Sequence, residues 1–314
     1  MKVALVGPEL EENLAVRYIH AAVTQAGHEA KIYDFHAEEQ LAHVAMQIAA
    51  YAPDAVGLSM MFTARSREFV ALAKRLRELG FAGHITAGGH FASFHAERLL
   101  VDCAALDSIV HGEGEEAMCE LLANLDDLGA VTGVTWRDAS GAIERTGYRT
   151  NLADLDERAL PTRPDEFHDY LGRPIASLLA GRGCYGNCRF CSINAWHRQS
   201  GGPRFRQRHT EAIAYEMAEL YHCRGVRIFN FQDDQFFLPT EKGNLARLGA
   251  LRDALGGHGV GKIALQVKAR PDSVTRPVIS MLKDMGLFRV FLGVETNAVV
   301  GLETLGRGIE REQN

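Results

Sequence analysis

Short apolar, β-like runs alternate with amphipathic helical segments in this chain, and the alternation starts twice. The first series places strands at Lys2–Val6, Glu29–Phe35, Asp54–Met60, Gly83–Gly89 and Asp107–Gly112. Between and after them, Arg67–Leu79 carries Phe69, Leu72, Leu76 and Leu79 at helical spacing, and Gly114–Leu125 carries Met118, Leu121, Leu122 and Leu125 on one stripe. Repeated β/α units of this length predict an open parallel sheet with helices on both faces. Ligands of such sheets bind beyond the C-terminal strand ends, here the loops Ser59–Ala64, Gly88–Ser93 and His111–Glu116. The second series has strands at Pro174–Ala180, Val226–Phe231, Lys262–Ala269 and Phe288–Val294, with a helix at Glu211–His222. Four such units are half of a closed eight-fold barrel, or most of a six-fold open one.

Between the series, Gly133–Gly147 alternates and turns at Asp138–Gly141, the pattern of a hairpin. The proline-bearing, charged stretch Leu155–Phe167 reads as an extended connector. A length of 314 residues with 46% hydrophobic and 24% charged residues suits a globular protein of two domains. The net charge of −6 argues against a general nucleic-acid or anionic-membrane binder, and the basic run Arg204–His209 is too short to reverse this. The five apolar or small residues after Lys2 are too few for a signal-peptide core, and no apolar run is long enough for a bilayer. The expected location is cytoplasmic, where clustered cysteines more often signal metal than disulfide.

Three of the six cysteines, Cys184, Cys188 and Cys191, fall within eight residues directly after a strand. Thiolates bind zinc or iron–sulfur clusters, and a closed structural zinc site wants four ligands, usually as two close pairs. No fourth ligand follows in register; Cys103, Cys119 and Cys223 read as small buried hydrophobes. Three thiolates on a four-iron cube leave one iron open, and an open position on a metal is where substrate binds. Glycines at 181, 183 and 186 suit a loop wrapped closely around a bulky group.

The spacing Cys184-x-x-x-Cys188-x-x-Cys191 after a strand resembles the signature of the radical S-adenosylmethionine (radical SAM) enzymes. The resemblance implies that these cysteines hold a [4Fe-4S] cluster whose unique iron chelates S-adenosylmethionine. It implies reductive cleavage of the sulfonium to methionine and a 5′-deoxyadenosyl radical. Phe190, before the third cysteine, would lie against the adenine. At the next strand end, Phe229–Phe237 carries Asp233 and Asp234, similar to the family segment that receives the S-adenosylmethionine ammonium. The alternative is that the pair caps the following helix. Arg270 after the third strand suits a carboxylate or phosphate, and Glu295 after the fourth resembles the family's ribose-contacting acid.

A doubly wound domain ahead of such a barrel resembles the cobalamin (B12)-binding domain of one radical SAM subgroup. The implied corrinoid contacts are Ser59, Met60, Met61, Thr63, Gly88, Gly89, His90, Gly112, Glu113 and Gly114. Asp-x-His-x-x-Gly, which supplies a lower axial histidine in other cobalamin domains, is absent; Val6–Val16 stands there instead. Many of the radical subgroup also lack it, leaving the lower face to water or to no ligand. His90, His95 and His111 are the nearest imidazoles and read as loop hydrogen-bonders. The alternative is a doubly wound fold for another nucleotide, or for none, but neither Gly-x-Gly-x-x-Gly nor a phosphate loop is present.

The expected fold class is therefore α/β: an N-terminal doubly wound, flavodoxin-like parallel-sheet domain (1–128), a hairpin and linker (129–173), and a partial (β/α) radical SAM barrel (174–314), truncated before the last barrel strands the family has. The expected function is a cobalamin-dependent radical SAM enzyme methylating an unactivated carbon, with a [4Fe-4S] cluster, S-adenosylmethionine and cobalamin as cofactors. The substrate is a small molecule or peptide of unknown class, the electron source a reductant such as flavodoxin or ferredoxin, and neither nucleic acid nor membrane is a partner. Rival readings are the same architecture cyclising, oxidising or rearranging its substrate, a methylthiolating tRNA modifier, and a fragment that only binds corrinoid. The second rival would need another cysteine trio and a basic module, and neither is visible.

Overall fold

Strand β1 (Lys2–Gly7) shows why the first unit is a three-layered sheet. Its side chains alternate between faces. Ala4 and Val6 enter a core with Val44, Ile48, Phe69, Leu72 and Leu76, while Val3 and Leu5 enter another with Val16, Val23, Met118 and Leu121. Helices Leu41–Tyr51 and Ser66–Glu78 thus cover one face, and Leu14–Gln25 and Gly114–Ala123 the other. Each fully buried Leu or Phe contributes about 1.5–3 kcal/mol, so both faces are strongly specified.

The computed structural model describes residues 1–313 and divides into two units. Unit one comprises Met1–Asn151, Arg158–Arg163 and Trp196–Gly202. After β1 come β2 (Glu29–Asp34), β3 (Ala55–Ser59), β4 (His84–Gly88), β5 (Ser108–Val110), β6 (Val134–Arg137) and β7 (Ile143–Arg145). Their order is β2-β1-β3-β4-β5-β6-β7. The first five are parallel, in the flavodoxin-like order; the hairpin β6–β7 extends the same sheet antiparallel. Within this unit Arg158 binds Glu113 and Glu115, each at 2.8 Å, and Arg163 binds Glu12 at 2.8 Å. Part of the stretch read as an extended connector is thus pinned by buried ion pairs.

Unit two comprises Leu152–Glu157, Pro164–Ala195 and the residues from Pro203 onward. Its strands are β8 (Asp169–Tyr170), β9 (Arg173–Leu178), β10 (Gly181–Arg182), β11 (Arg206–Gln207), β12 (Ile228–Phe231), β13 (Ala264–Ala269) and β14 (Leu287–Leu292). A curled five-stranded sheet runs β14-β13-β12-β9-β8, with β9, β12, β13 and β14 parallel and β8 turning back antiparallel onto β9. Ala176, Leu178, Phe229, Phe231, Leu265 and Val267 face one apolar core with Ile213, Met217, Leu248, Leu251, Val278 and Leu282 from helices Thr210–Arg224, Glu241–Gly257 and Arg276–Asp284. The alternate positions are polar: Ser177, Asn230 and Gln266 lie in one register row, and Gln266 donates to Asn230 at 3.0 Å. Lys268 donates to Gln232 on the same face at 2.8 Å. This is a half-barrel with apolar packing outside and hydrogen-bonding groups inside.

Candidate active site

The three clustered thiols sit where β9 and the short ribbon β10–β11 hand the chain to helix Ser192–Gln199. Cys184, Cys188 and Cys191 are all free, with Cys188 buried and the others half-buried. The Gly186 N–H donates to Cys184 Sγ at 3.3 Å, and the Cys191 N–H to the Cys188 carbonyl at 3.3 Å. A Cβ on Gly186 would stand 2.4 Å from Arg270 Nη1 and 3.4 Å from Cys184 Sγ, so glycine is required there by space. Burial pushes the Cys184 thiol up; the Gly186 N–H and the Arg270 guanidinium oppose the effect, and Asp234 and Cys191 add to it. Phe190 is 49% exposed between the second and third cysteines.

The next strand end closes on the same loop. Gln235 donates to Tyr185 Oη at 3.1 Å and to Ser273 Oγ at 3.2 Å, and accepts from the Arg270 N–H at 3.1 Å. It thereby ties the thiol loop to the ends of β12 and β13. The adjacent acids differ. Asp233 is only 1% exposed, accepts the Ala180 N–H at 3.1 Å, and lies beside Arg247; burial drives its carboxyl up to about 7. Asp234 is exposed and accepts the Gly183 N–H at 3.2 Å, directly before Cys184. Of the two, Asp234 is the more accessible.

Arg270 turns toward the thiols, as its place after β13 requires. Nη1 donates to Cys188 Sγ at 3.2 Å, Nε to Asp272 at 3.0 Å, and Nη2 to the Arg307 carbonyl at 2.9 Å. Glu295, exposed beyond β14, has φ +62°, a left-handed conformation that costs a non-glycine residue about 1–3 kcal/mol and gathers at functional sites. The sequence reading missed Tyr185, Gln235 and Arg307. Only Arg307 had a signal: it lies between Gly306 and Gly308, both at positive φ, on a segment whose Leu305 carbonyl accepts the Arg189 N–H of the thiol loop at 2.8 Å.

In unit one the three strand-end loops also converge. The Met60 N–H donates to the Gly88 carbonyl at 2.8 Å, joining the ends of β3 and β4. Gly89, at φ +98°, brings its Cα so close that a Cβ would meet the Met60 carbonyl at 3.0 Å. Met60 is fully buried in the core; Ser59, Met61 and Gly88 are half-buried and Thr63 exposed. Glu113, flanked by Gly112 at φ +72° and Gly114, is held by Arg158. His90 lies with its ring 4.6 Å from Trp196, and His95 with its ring 4.6 Å from Phe91. His111 is buried against Thr135 Oγ1 at 2.7 Å; burial lowers it to about 4, so it is neutral near pH 7.

The free-thiol loop stands at the carboxyl edge of a parallel half-barrel, the edge at which such barrels carry their active sites. The family model described as the radical SAM superfamily matches residues 178–313, and the one described as B12 binding domain matches residues 3–122. An uncharacterized methyltransferase of Pyrococcus horikoshii is 26% identical over 96% of this chain and 64% of its own length. The hopanoid C-3 methylase of Methylococcus capsulatus is 28% identical over 96% of this chain and 57% of its own length. In fold, the chain resembles the cobalamin-dependent S-adenosylmethionine radical enzyme OxsB, solved with aqua-cobalamin and S-adenosylmethionine, at TM-score 0.78 and 22% identity, covering 100% of this chain and 46% of that one. Together the two matches liken this chain to the radical SAM group that carries a B12 binding domain. The chain spans less than two thirds of the length of these curated relatives.

The cofactors of that group are a [4Fe-4S] cluster, S-adenosylmethionine and cobalamin, and the thiol loop fits the first of them. A single zinc would draw its thiolates to about 3.8 Å from one another. Among the described residues, the trio of potential ligands within 4.8 Å is instead Asp154, Asp156 and His209, where Asp156 already accepts from Arg208 at 2.7 Å and from His209 at 2.9 Å. No helix is long and apolar enough to cross a membrane among the described residues.

Proposed function

We propose that this protein is a cobalamin-dependent radical SAM methyltransferase that acts on an unactivated carbon. The observation that carries the reading is the convergence of Cys184, Cys188 and Cys191 with two buried guanidiniums at one half-barrel edge, in a chain that also matches the B12 binding domain. When bound, cluster and S-adenosylmethionine supply hydrogen-atom abstraction, and cobalamin supplies the methyl group.

The protein's part is to hold and orient. Cys184, Cys188 and Cys191 would hold the cluster. The exposed Asp234 receives the ammonium of S-adenosylmethionine, with Asp233 fixing the Ala180 strand end behind it through its two contacts to one N–H. Phe190 lies along the adenine, Glu295 takes the ribose hydroxyls, and Arg270 serves the S-adenosylmethionine side of the site from its place against Cys188. In unit one, Ser59, Met60, Met61, Thr63, Gly88, Gly89, His90, Gly112, Glu113 and Gly114 shape the corrinoid site. Here Met60 forms part of the packed floor, and Gly89 closes tightly against its carbonyl. His111, neutral and bonded to Thr135, supports the β5 loop. The inner face with Ser177, Asn230, Gln266 and Lys268 offers hydrogen bonds to a small-molecule or peptide substrate.

The electron comes from a flavodoxin- or ferredoxin-like reductant in the cytoplasm, and neither nucleic acid nor membrane takes part. The test is anaerobic reconstitution of the protein expressed with cobalamin supplied. Iron near four per chain, a corrinoid spectrum, and reductant-dependent cleavage of S-adenosylmethionine are expected, with labelled methyl appearing in product. Cleavage with label absent from every product would mean a cyclase, oxidase or rearranging enzyme instead, and corrinoid binding without iron would mean a binder.

A further inference from the structure

Arg307 is a buried cation without a carboxylate. It is 4% exposed, its Nε has no hydrogen-bond partner, and no Asp or Glu among the described residues pairs with it. Buried charges are ordinarily compensated, because an isolated one is costly to desolvate. The group within reach to share that charge is the Cys188 sulfur, 3.9 Å from Nη1. The other arm of the guanidinium donates to the Gly293 carbonyl. Arg270, 8% exposed, reaches the same sulfur at 3.2 Å, but its charge is balanced by Asp272. The two arginines are joined through the bond from Arg270 Nη2 to the Arg307 carbonyl, at 2.9 Å.

We propose that Arg270 and Arg307 form a paired-guanidinium seat for the Cys188 sulfur and thereby raise the reduction potential of the cluster that this thiolate helps to hold. The inference rests on the functional reading above. Reduction adds negative charge to a cluster, and hydrogen bonds and positive charge at its sulfurs stabilise that charge in a buried setting. Of the two arginines, Arg307 is the uncompensated one, so it carries the larger share. Both are positioning residues.

The test is an electron paramagnetic resonance redox titration of the anaerobically reconstituted full chain, comparing wild type with R307M and R307K. R307M is expected to make one-electron reduction at least tenfold less favourable, which is a shift of about 59 mV to more negative potential. R307K is expected to shift at least threefold in the same direction, because one ammonium cannot serve Cys188 Sγ and the Gly293 carbonyl together. Should R307M hold no iron, R307K alone decides. A loaded variant titrating within twofold of wild type, or shifting positive, overturns the proposal. Loss of iron from both variants overturns it too, since Arg307 would then serve assembly rather than tuning. A wild-type chain that takes up no cluster would sink the functional reading itself, whereas a normal cluster with an unmoved potential sinks only this inference.

Discussion

Gly186→Ala perturbs the site by a single methyl. Its Cβ would stand 2.4 Å from Arg270 Nη1, roughly 1 Å inside ordinary contact. A flexible, exposed arginine would move aside, but Arg270 is buried and tied to Asp272, Cys188 and the Arg307 carbonyl. Overpacking of this kind costs about 1–3 kcal/mol. Displacing the guanidinium also weakens its 3.2 Å bond to Cys188, worth about 1.5–3 kcal/mol for a hydrogen bond to a charged group. Together these disfavour the cluster-competent loop by about 2.5–6 kcal/mol, on the order of a hundred- to ten-thousandfold in population. The assay is iron and acid-labile sulfide per chain after anaerobic reconstitution, with Gly249→Ala as control. Gly249 lies within helix Glu241–Gly257, where a Cβ would meet no neighbouring atom within 4 Å. Its substitution should stabilise by about 0.5–1 kcal/mol and leave iron content unchanged. If Gly186→Ala loads as fully as the control, the loop is not shaped by close approach of Arg270, and the reasoning fails.

Leu171→Asn should stabilise the protein by about 0.5–1 kcal/mol in urea titration, because Leu171 and Gly172 form the β8–β9 turn with φ of +53° and +76°, which favours Asn-Gly. Asp233→Asn should flatten the pH dependence of stability. Burial holds the Asp233 carboxyl up at about 7, above its unfolded value, so its ionisation penalises the fold. That penalty is absent below about pH 4, grows between pH 4 and 7, and is complete above 7. Wild type should therefore lose stability across that window more steeply than the variant, and parallel pH profiles would contradict it. Glu295→Asn, which keeps a left-handed-tolerant residue at φ +62°, should be at least as stable as wild type while binding S-adenosylmethionine on the order of tenfold more weakly by calorimetry.

Local pattern carried the elements well. The strand read at Lys2–Val6 is β1 to within one residue, the helix read at Arg67–Leu79 is Ser66–Glu78, and the hairpin turns at Asp138–Gly141, where the Gly141 N–H meets the Asp138 carbonyl at 3.0 Å. These features depend on neighbours in sequence, so period and turn chemistry reveal them. The cysteine trio was legible for the same reason. Arg307 was not, because its meaning comes from a sulfur 119 residues away. Likewise, nothing local separates the buried Asp233 from the exposed Asp234, since only the Ala180 backbone and Arg247 make them unequal. The two-residue strand β8 escaped notice too; at that length no periodicity exists to be read.

Strand β8 has an effect on the half-barrel out of proportion to its size. By folding back on β9 it pairs Arg173 and Pro174 at that margin, and its Tyr170 ring lies 5.9 Å from Phe288 of β14, while Phe291 of β14 stays 67% exposed. Concentrated solutions of the isolated chain should self-associate through the β14 side, and a charge placed at Phe291 should keep them clear.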